Sequence, residues 1–200
     1  MKTLILATDN QDKVHEIREI LKDLPIAVLS KAQAGMSYIE VVEDAQTLEG
    51  NAEIKARSIK EKAPEAIVLA DDTGLYVDAL DGAPGVHTAR YAGENCSYQD
   101  NRRKLLNALK DLPLEERSAR FVTCIVIIDE MGILHLAEGV CEGMISEEER
   151  GERGFGFDPV FIPKDYDKTF AEMDGQIKNS ISHRARALDA LLELLERMCK

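Results

Sequence analysis

Tryptophan is absent, and aromatic residues make up only 5% of the chain. The core must therefore be packed mainly from Leu, Ile, Val and Ala. Positive charge is also scarce, with 25 Lys and Arg against 37 Asp and Glu and a formal net charge of −12. That balance argues against an extended nucleic-acid surface, which needs many basic groups to displace phosphate counterions. It leaves open a small anionic ligand, because a local cluster of cations can hold a polyphosphate inside an acidic protein. Cys96, Cys124, Cys141 and Cys199 show no paired short spacing. Reduced thiols in a cytoplasmic protein are the expectation. No apolar run approaches membrane-spanning length, and the start MKTLILATDN turns polar too soon for a secretory leader. It reads as a first strand, and no membrane partner is expected.

What is present suits a globular fold. The 200 residues, 44% of them hydrophobic, fit one domain over 1–200, or one pinched into two lobes around a cleft. Thr3 to Ala7 reads as a short buried strand. The helical period through Val14, Ile17, Ile20 or Leu21 and Leu24 predicts a first helix closed by Pro25. Ile26 to Leu29 is a second strand, Lys31 to Thr47 is irregular, and Leu48 to Lys62 is a helix. Ile67 to Ala70 predicts a strand running into a turn at Asp71-Asp72-Thr73-Gly74, and Asp81 to Gly85 is a loop. A helix over Asn101 to Leu112, a hairpin of Phe121–Ile128 with Ile133–Val140, and one terminal helix capped by Ser182 complete the chain. The alternation implies an α/β fold, a mixed twisted sheet flanked by helices.

Five segments carry chemistry. Thr8-Asp9-Asn10-Gln11-Asp12-Lys13 joins the first strand to the first helix, where backbone N–H groups and the helix dipole suit phosphate oxygens. It lacks the glycines and Gly-Lys-Ser/Thr ending of a P-loop. Taken alone, it reads first as an Asn or Asp cap beside a solvated Lys. Asp71-Asp72 places two carboxylates at the end of a strand, where open α/β sheets bind ligands. Such neighbours repel unless a cation neutralises them, and Mg²⁺, which shares hard oxygen ligands with phosphates, is the natural one. Adjacent strand residues point to opposite faces, so one Asp of the two is expected to face the metal; a solvated turn is the alternative. Glu40 to Asp44 adds loop carboxylates, and Asn51 and Lys55 share one helix face. Gly154-Phe155-Gly156-Phe157-Asp158-Pro159 interleaves aromatics with glycines, as either a base-stacking face or a packed turn. Lys178 with Ser182-His183-Arg184 puts cations where a helix dipole disfavours them, which makes sense if they face a ligand. His183 could hydrogen-bond a base edge.

These segments, in this order, resemble the inosine triphosphate pyrophosphatase family over nearly the whole chain. The family's Thr-x-Asn-x-x-Lys start stands here as Thr8 to Lys13, and its Asn-Ala-x-x-Lys-Ala helix as Asn51 to Ala56. Ala-Asp-Asp-Ser-Gly-Leu stands as Ala70 to Leu75, with Thr73 for Ser. The Pro-Gly-x-x-Ser-Ala-Arg-Tyr loop is Pro84 to Tyr91, with Thr88 for Ser. Gly-Phe-Gly-Tyr-Asp-Pro is Gly154 to Pro159, with Phe157 for Tyr, and Ser-His-Arg is Ser182 to Arg184. An acidic residue usual at position 50 is Gly50 here.

The resemblance implies an elongated, two-lobed ITPase-like (Maf/Ham-type) fold with a central cleft, a homodimer, and Mg²⁺ as cofactor. Its substrates would be the non-standard purine triphosphates ITP, dITP and XTP, hydrolysed to monophosphate and pyrophosphate. It carries the general-base and metal-ligand roles to Asp72, and the second metal carboxylate to Glu43. Phosphate binding goes to Thr8, Asp9, Asn10, Gln11, Asp12 and Lys13. Nucleotide contact goes to Thr73, Phe155, Gly156, Phe157, Asp158, Lys178, His183 and Arg184. Two alternatives stand beside it: a Maf-like pyrophosphatase of pyrimidine or modified nucleotides, and a non-catalytic nucleotide sensor.

Overall fold

Alternating apolar runs and amphipathic segments produce strands that are buried on both faces. The computed structural model describes residues Lys2–Cys199. Its elements are β1 (Lys2–Leu6), α1 (Gln11–Ile20), β2 (Ile26–Ser30), α2 (Leu48–Lys60), β3 (Ile67–Val77), β4 (Pro84–Gly85), α3 (Tyr98–Leu109), β5 (Ser118–Ile128), β6 (Leu134–Ile145), β7 (Phe161–Pro163), α4 (Gly175–Ile181), α5 (His183–Asp189) and α6 (Leu192–Met198). The strands hydrogen-bond in the order β2-β1-β3-β5-β6-β7, with β4 on β3. The chain forms two compact units: Met1–Asp72 with Thr123–Gly139 and Arg184–Lys200, and Thr73–Val122 with Val140–His183.

In the first unit β1 runs parallel to β2, from Lys2↔Ile26 to Leu6↔Ser30, and parallel to β3, from Leu4↔Ile67 to Leu6↔Leu69. Successive strand side chains point to opposite faces, and the core divides accordingly. Leu4, Leu6, Ile67, Leu69, Ile125 and Ile127 pack with Val14 and Ile17 of α1, Leu188 of α5 and Leu195 of α6. Ile5, Val68, Ala70, Val126 and Ile128 pack with Ala52, Ala56 and Ile59 of α2. Parallel strands covered on both faces need such unbroken apolar runs. This unit is aliphatic. All five Phe residues of the chain fall in the second unit, where Phe121, Phe161 and Phe170 form one aromatic cluster with centroids 4.7–6.3 Å apart.

Four expectations need correction. Asp71 to Gly74 is no turn: β3 continues through it to Val77. Gly74 allows this, since a Cβ there would meet the Gly85 carbonyl at 2.9 Å, where β4 pairs with Leu75. The loop at Asp81–Gly85 accordingly contains β4. α3 begins at Tyr98 rather than Asn101, because Ser97 and Asp100 form a reciprocal capping box. The single terminal helix is split into α5 and α6, as Leu191 N–H tightens to the Leu188 carbonyl. The expected stripe of Ala185, Leu188, Leu191 and Leu195 nevertheless stays buried.

All four cysteines are unbridged, and burial with the Glu138 carboxylate pushes the Cys124 thiol up to about 12. No helix among the described residues is long and apolar enough to cross a membrane.

Close strand approach at Gly143 gives a test of the second unit. A Cβ there would lie 2.2 Å from the Ile162 carbonyl across the β6–β7 pairing. Gly143→Ala should lower stability by about 1–3 kcal/mol, read as the urea midpoint, whereas Gly175→Ala, where a Cβ meets nothing within 4 Å, should not.

Candidate active site

Strand alternation continues past the apolar part of β3 and separates the two aspartates. Ile67, Leu69 and Asp71 share the face covered by α1 and α5; Val68, Ala70 and Asp72 share the face covered by α2. Each carboxylate therefore meets its own set of partners.

Asp71 is 1% exposed. Its Oδ2 lies 3.0 Å from Lys13 Nζ and accepts from Arg184 Nη2 and Nε at 3.0 and 3.2 Å. Arg184 Nη1 in turn donates to Glu16. Burial alone would raise the Asp71 carboxyl, but Lys13 and Arg184 hold it well below the usual carboxylate range. Burial, aided by the nearby Lys55 and Arg184 charges, lowers the Lys13 ammonium despite Asp71. Arg184 is raised, because Asp71 and Glu16 outweigh its burial.

Asp72 is served by α2. Asn51 and Lys55 lie one turn apart, with Asn51 Nδ2 donating to Asp72 Oδ2 at 3.3 Å and Lys55 Nζ to Oδ1 at 2.8 Å. Lys55 Nζ also reaches Glu43 Oε2 at 3.1 Å, while Asn51 Oδ1 accepts from Ala45 N–H at 3.0 Å. One helix face thus fixes both Asp72 and the irregular segment that carries Glu43. Burial pushes the Asp72 carboxyl up; Lys55 and Lys13 offset this in part, and Glu43 adds to it. Burial would lower Lys55, but Asp72 and Glu43 prevail and raise it.

Glu43 and Asp72 converge on one ammonium, that of Lys55. No group of three or more His, Cys, Asp or Glu suited to a metal exists among the described residues. Two carboxylates fit Mg²⁺, which commonly takes one or two from the protein and the rest from water and substrate phosphates. They would not make a closed protein cage.

The turn at Thr8–Lys13 carries the side-chain cap that the segment suggests when taken alone. Asn10 Oδ1 accepts from Asp12 and Lys13 N–H at 3.0 and 3.1 Å, and Thr8 Oγ1 accepts from Asn10 N–H at 3.2 Å. The side-chain cap thus takes two backbone donors of the first turn. Asp9 pairs with Lys31 Nζ at 2.6 Å, Gln11 Nε2 donates to the Asp9 carbonyl, and Asp12 is exposed. Lys13, half-buried beside Asp71, is the cation of this turn.

In the second unit, Asp158 Oδ2 accepts from Phe155 N–H at 2.8 Å and from Lys178 Nζ at 2.5 Å. Lys178 Nζ lies 5.1 Å from the centre of the half-buried Phe155 ring. Gly154 and Gly156 take positive φ values of 72° and 59°, the left-handed region natural to glycine. His183 is buried and stacked on Phe121 at 4.5 Å and 19°. Thr73 lies in this unit on β3.

Two of the residues assigned to the nucleotide are engaged with the protein itself. The Phe157 ring is 4% exposed and packs into the core with Val160, Phe161 and Phe170. Arg184 is 1% exposed and turned to Asp71 and Glu16. Its unfavourable place at a helix start is balanced by carboxylates of the protein itself. Sequence reasoning missed Glu16, although a carboxylate between the core residues Val14 and Ile17 was a usable signal. Lys55 and Asn51 were placed on one face but not assigned to Asp72.

A sequence model of the Ham1 family matches residues 4–194. This chain belongs to the Ham1 family. It is 47% identical over 196 residues to the dITP/XTP pyrophosphatase of Bacillus subtilis, covering 98% of each chain. It is 46% identical over 196 residues to that of Caldanaerobacter subterraneus subsp. tengcongensis, covering 98% of this chain and 96% of that one. Among solved structures, the Staphylococcus aureus Ham1 protein superposes with a TM-score of 0.84 at 37% identity, covering 98% and 99% of the two chains. A HAM1 protein from Coxiella burnetii gives 0.85 at 38%, covering 98% and 100%. The Ham1 fold is thus common to this chain and its relatives.

The depressed Asp71 has a defined signature in pH. A carboxyl whose folded pKa lies below its unfolded value contributes stability above the unfolded pKa and loses it as pH falls toward the folded one. Asp71→Asn should cost about 3 kcal/mol at pH 7. The gap to wild type in urea unfolding should close as pH drops below about 4.

Proposed function

We propose that this Ham1 protein hydrolyses dITP, ITP and XTP to the nucleoside monophosphate and pyrophosphate, with Mg²⁺ as cofactor. The observation that carries the reading is Asp72: a buried carboxylate, contacted by Lys55 and Asn51, in a chain nearly half identical over its full length to proteins named dITP/XTP pyrophosphatase.

In the reaction, water adds across the anhydride between the α- and β-phosphoryl groups. Its oxygen joins phosphorus, its proton passes to Asp72, and pyrophosphate leaves. Glu43 and Asp72 are the residues that would hold Mg²⁺, which when bound neutralises phosphate oxygens and polarises the phosphorus under attack. Lys13 offers a cation to the phosphates, and Asp71 holds that cation in place. Lys55 keeps the two carboxylates from repelling one another when no metal is present. Phe155, Lys178 and His183 are assigned to the nucleobase. A donor aimed at a 6-keto oxygen would face a 6-amino group in ATP, a mismatch of about 1–3 kcal/mol per unpaired buried group.

The paired carboxylates speak against a mere nucleotide sensor, which gains nothing from added negative charge beside a triphosphate. Pyrophosphate release from ITP, XTP, dITP, GTP and ATP, with and without Mg²⁺, tests the reading. Turnover should require the metal and favour the first three, and Asp72→Asn should lower kcat by about 100-fold or more. Near-normal turnover in the variant removes Asp72 from the chemistry, and preference for dTTP or UTP would transfer the protein to the Maf-like class. The same reading makes it a cytoplasmic homodimer, for which light scattering should return twice the chain mass.

A further inference from the structure

Helix α3 meets the Gly154–Pro159 loop at two points. Tyr98 and Arg102 stand four residues apart and so lie on one face. The Tyr98 ring is 6.1 Å from Phe155, at 45°. Arg102 Nη1 donates to the Gly156 carbonyl at 2.9 Å, while its Nε lies 2.9 Å from Glu149 Oε2. The Arg102 side chain is 15% exposed, so its hydrogen bond to the Gly156 carbonyl forms largely out of solvent, where charge-assisted hydrogen bonds are strongest, and the Glu149 contact beside it is an ion pair.

The loop is held firmly on both sides of Gly156. Phe157 is sunk in the core, and Asp158 ties Phe155 N–H to Lys178. Gly156 itself is different. It has a positive φ, and a Cβ built there would meet nothing within 4 Å. Glycine has more backbone freedom to lose than any other residue. Between its two anchored neighbours, the Gly156 carbonyl is held by the Arg102 guanidinium.

We infer that Arg102 is a positioning residue for the nucleotide loop: by holding the Gly156 carbonyl it sets the ring face that Phe155 presents to the nucleobase. The inference rests on the assignment of Phe155 to the nucleobase above. Glu149 completes the arrangement by orienting the guanidinium from its other edge. A lysine could reach one of these two oxygens but could not span both with a rigid fork. Because Arg102 lies on the loop's scaffold rather than on the reacting phosphates, its loss acts on KM and base discrimination more than on kcat.

The test compares Arg102→Ala, Arg102→Lys and Glu149→Gln by steady-state kinetics on XTP, dITP and ATP, and by hydrogen exchange of peptides covering residues 154–158. Arg102→Ala should raise KM for XTP about tenfold, the loss of one charge-assisted bond, with kcat within about threefold. It should also narrow the XTP-to-ATP ratio in kcat/KM and speed exchange in the loop but not in β1. Arg102→Lys should fall between it and wild type. Should Arg102→Ala fail to fold, Glu149→Gln decides, with a smaller change of the same sign in KM and exchange. Unchanged loop exchange and KM would overturn the proposal, as would a fall in kcat accompanied by faster exchange throughout the chain. Wild-type protein that turns over neither XTP nor dITP would instead overturn the functional reading, leaving loop exchange to decide the role of Arg102.

Discussion

Two carboxylates side by side in a buried strand are the constraint around which the first unit is arranged. An unpaired buried charge costs several kcal/mol even after relaxation, and two adjacent ones would repel as well. The pleat of β3 resolves the conflict by sending Asp71 and Asp72 to opposite faces of the sheet. Each face then has to supply its own compensation. On one, Lys13 and Arg184 share Asp71, with Glu16 balancing the surplus positive charge. On the other, Lys55 and Asn51 hold Asp72 less completely, with Glu43 close by.

The unequal compensation gives the two carboxyls opposite shifts. Two cations outweigh burial at Asp71 and keep it ionised, which suits a structural anchor that aims Lys13. At Asp72 burial outweighs Lys55 and Lys13, and the carboxyl is raised. Neighbours in sequence thus acquire opposite pKa shifts from opposite faces of one strand.

The second unit solves a different problem with the few aromatic residues the chain has. Phe121, Phe161 and Phe170 build its core and supply the surface on which His183 stacks. Of the two rings in the glycine-rich loop, Phe157 joins that core while Phe155 stays half-buried beside Lys178. One ring anchors, and the other is left to make contacts. Helix α3 then fixes the glycine between them through Arg102.

Sequence alone determined what depends on short-range pattern: the alternating helices and strands, the hairpin, the Asn10 cap, and the ordered motifs that mark the family. Period-two alternation even implied that one Asp of the pair would face away from the other, and the four-residue spacing of Asn51 and Lys55 placed both on one side of α2. Tertiary structure decided which charges meet. Arg184 finds Asp71 from 113 positions away and Glu16 from 168, and no local pattern encodes partners at that distance. The same holds for Phe157, whose alternation with glycine resembles that of Phe155 but whose ring enters the core. Side-chain period and backbone propensity are properties of neighbours along the chain. The neutralisation of a buried charge, or the burial of a ring, belongs to whichever residues the fold brings alongside.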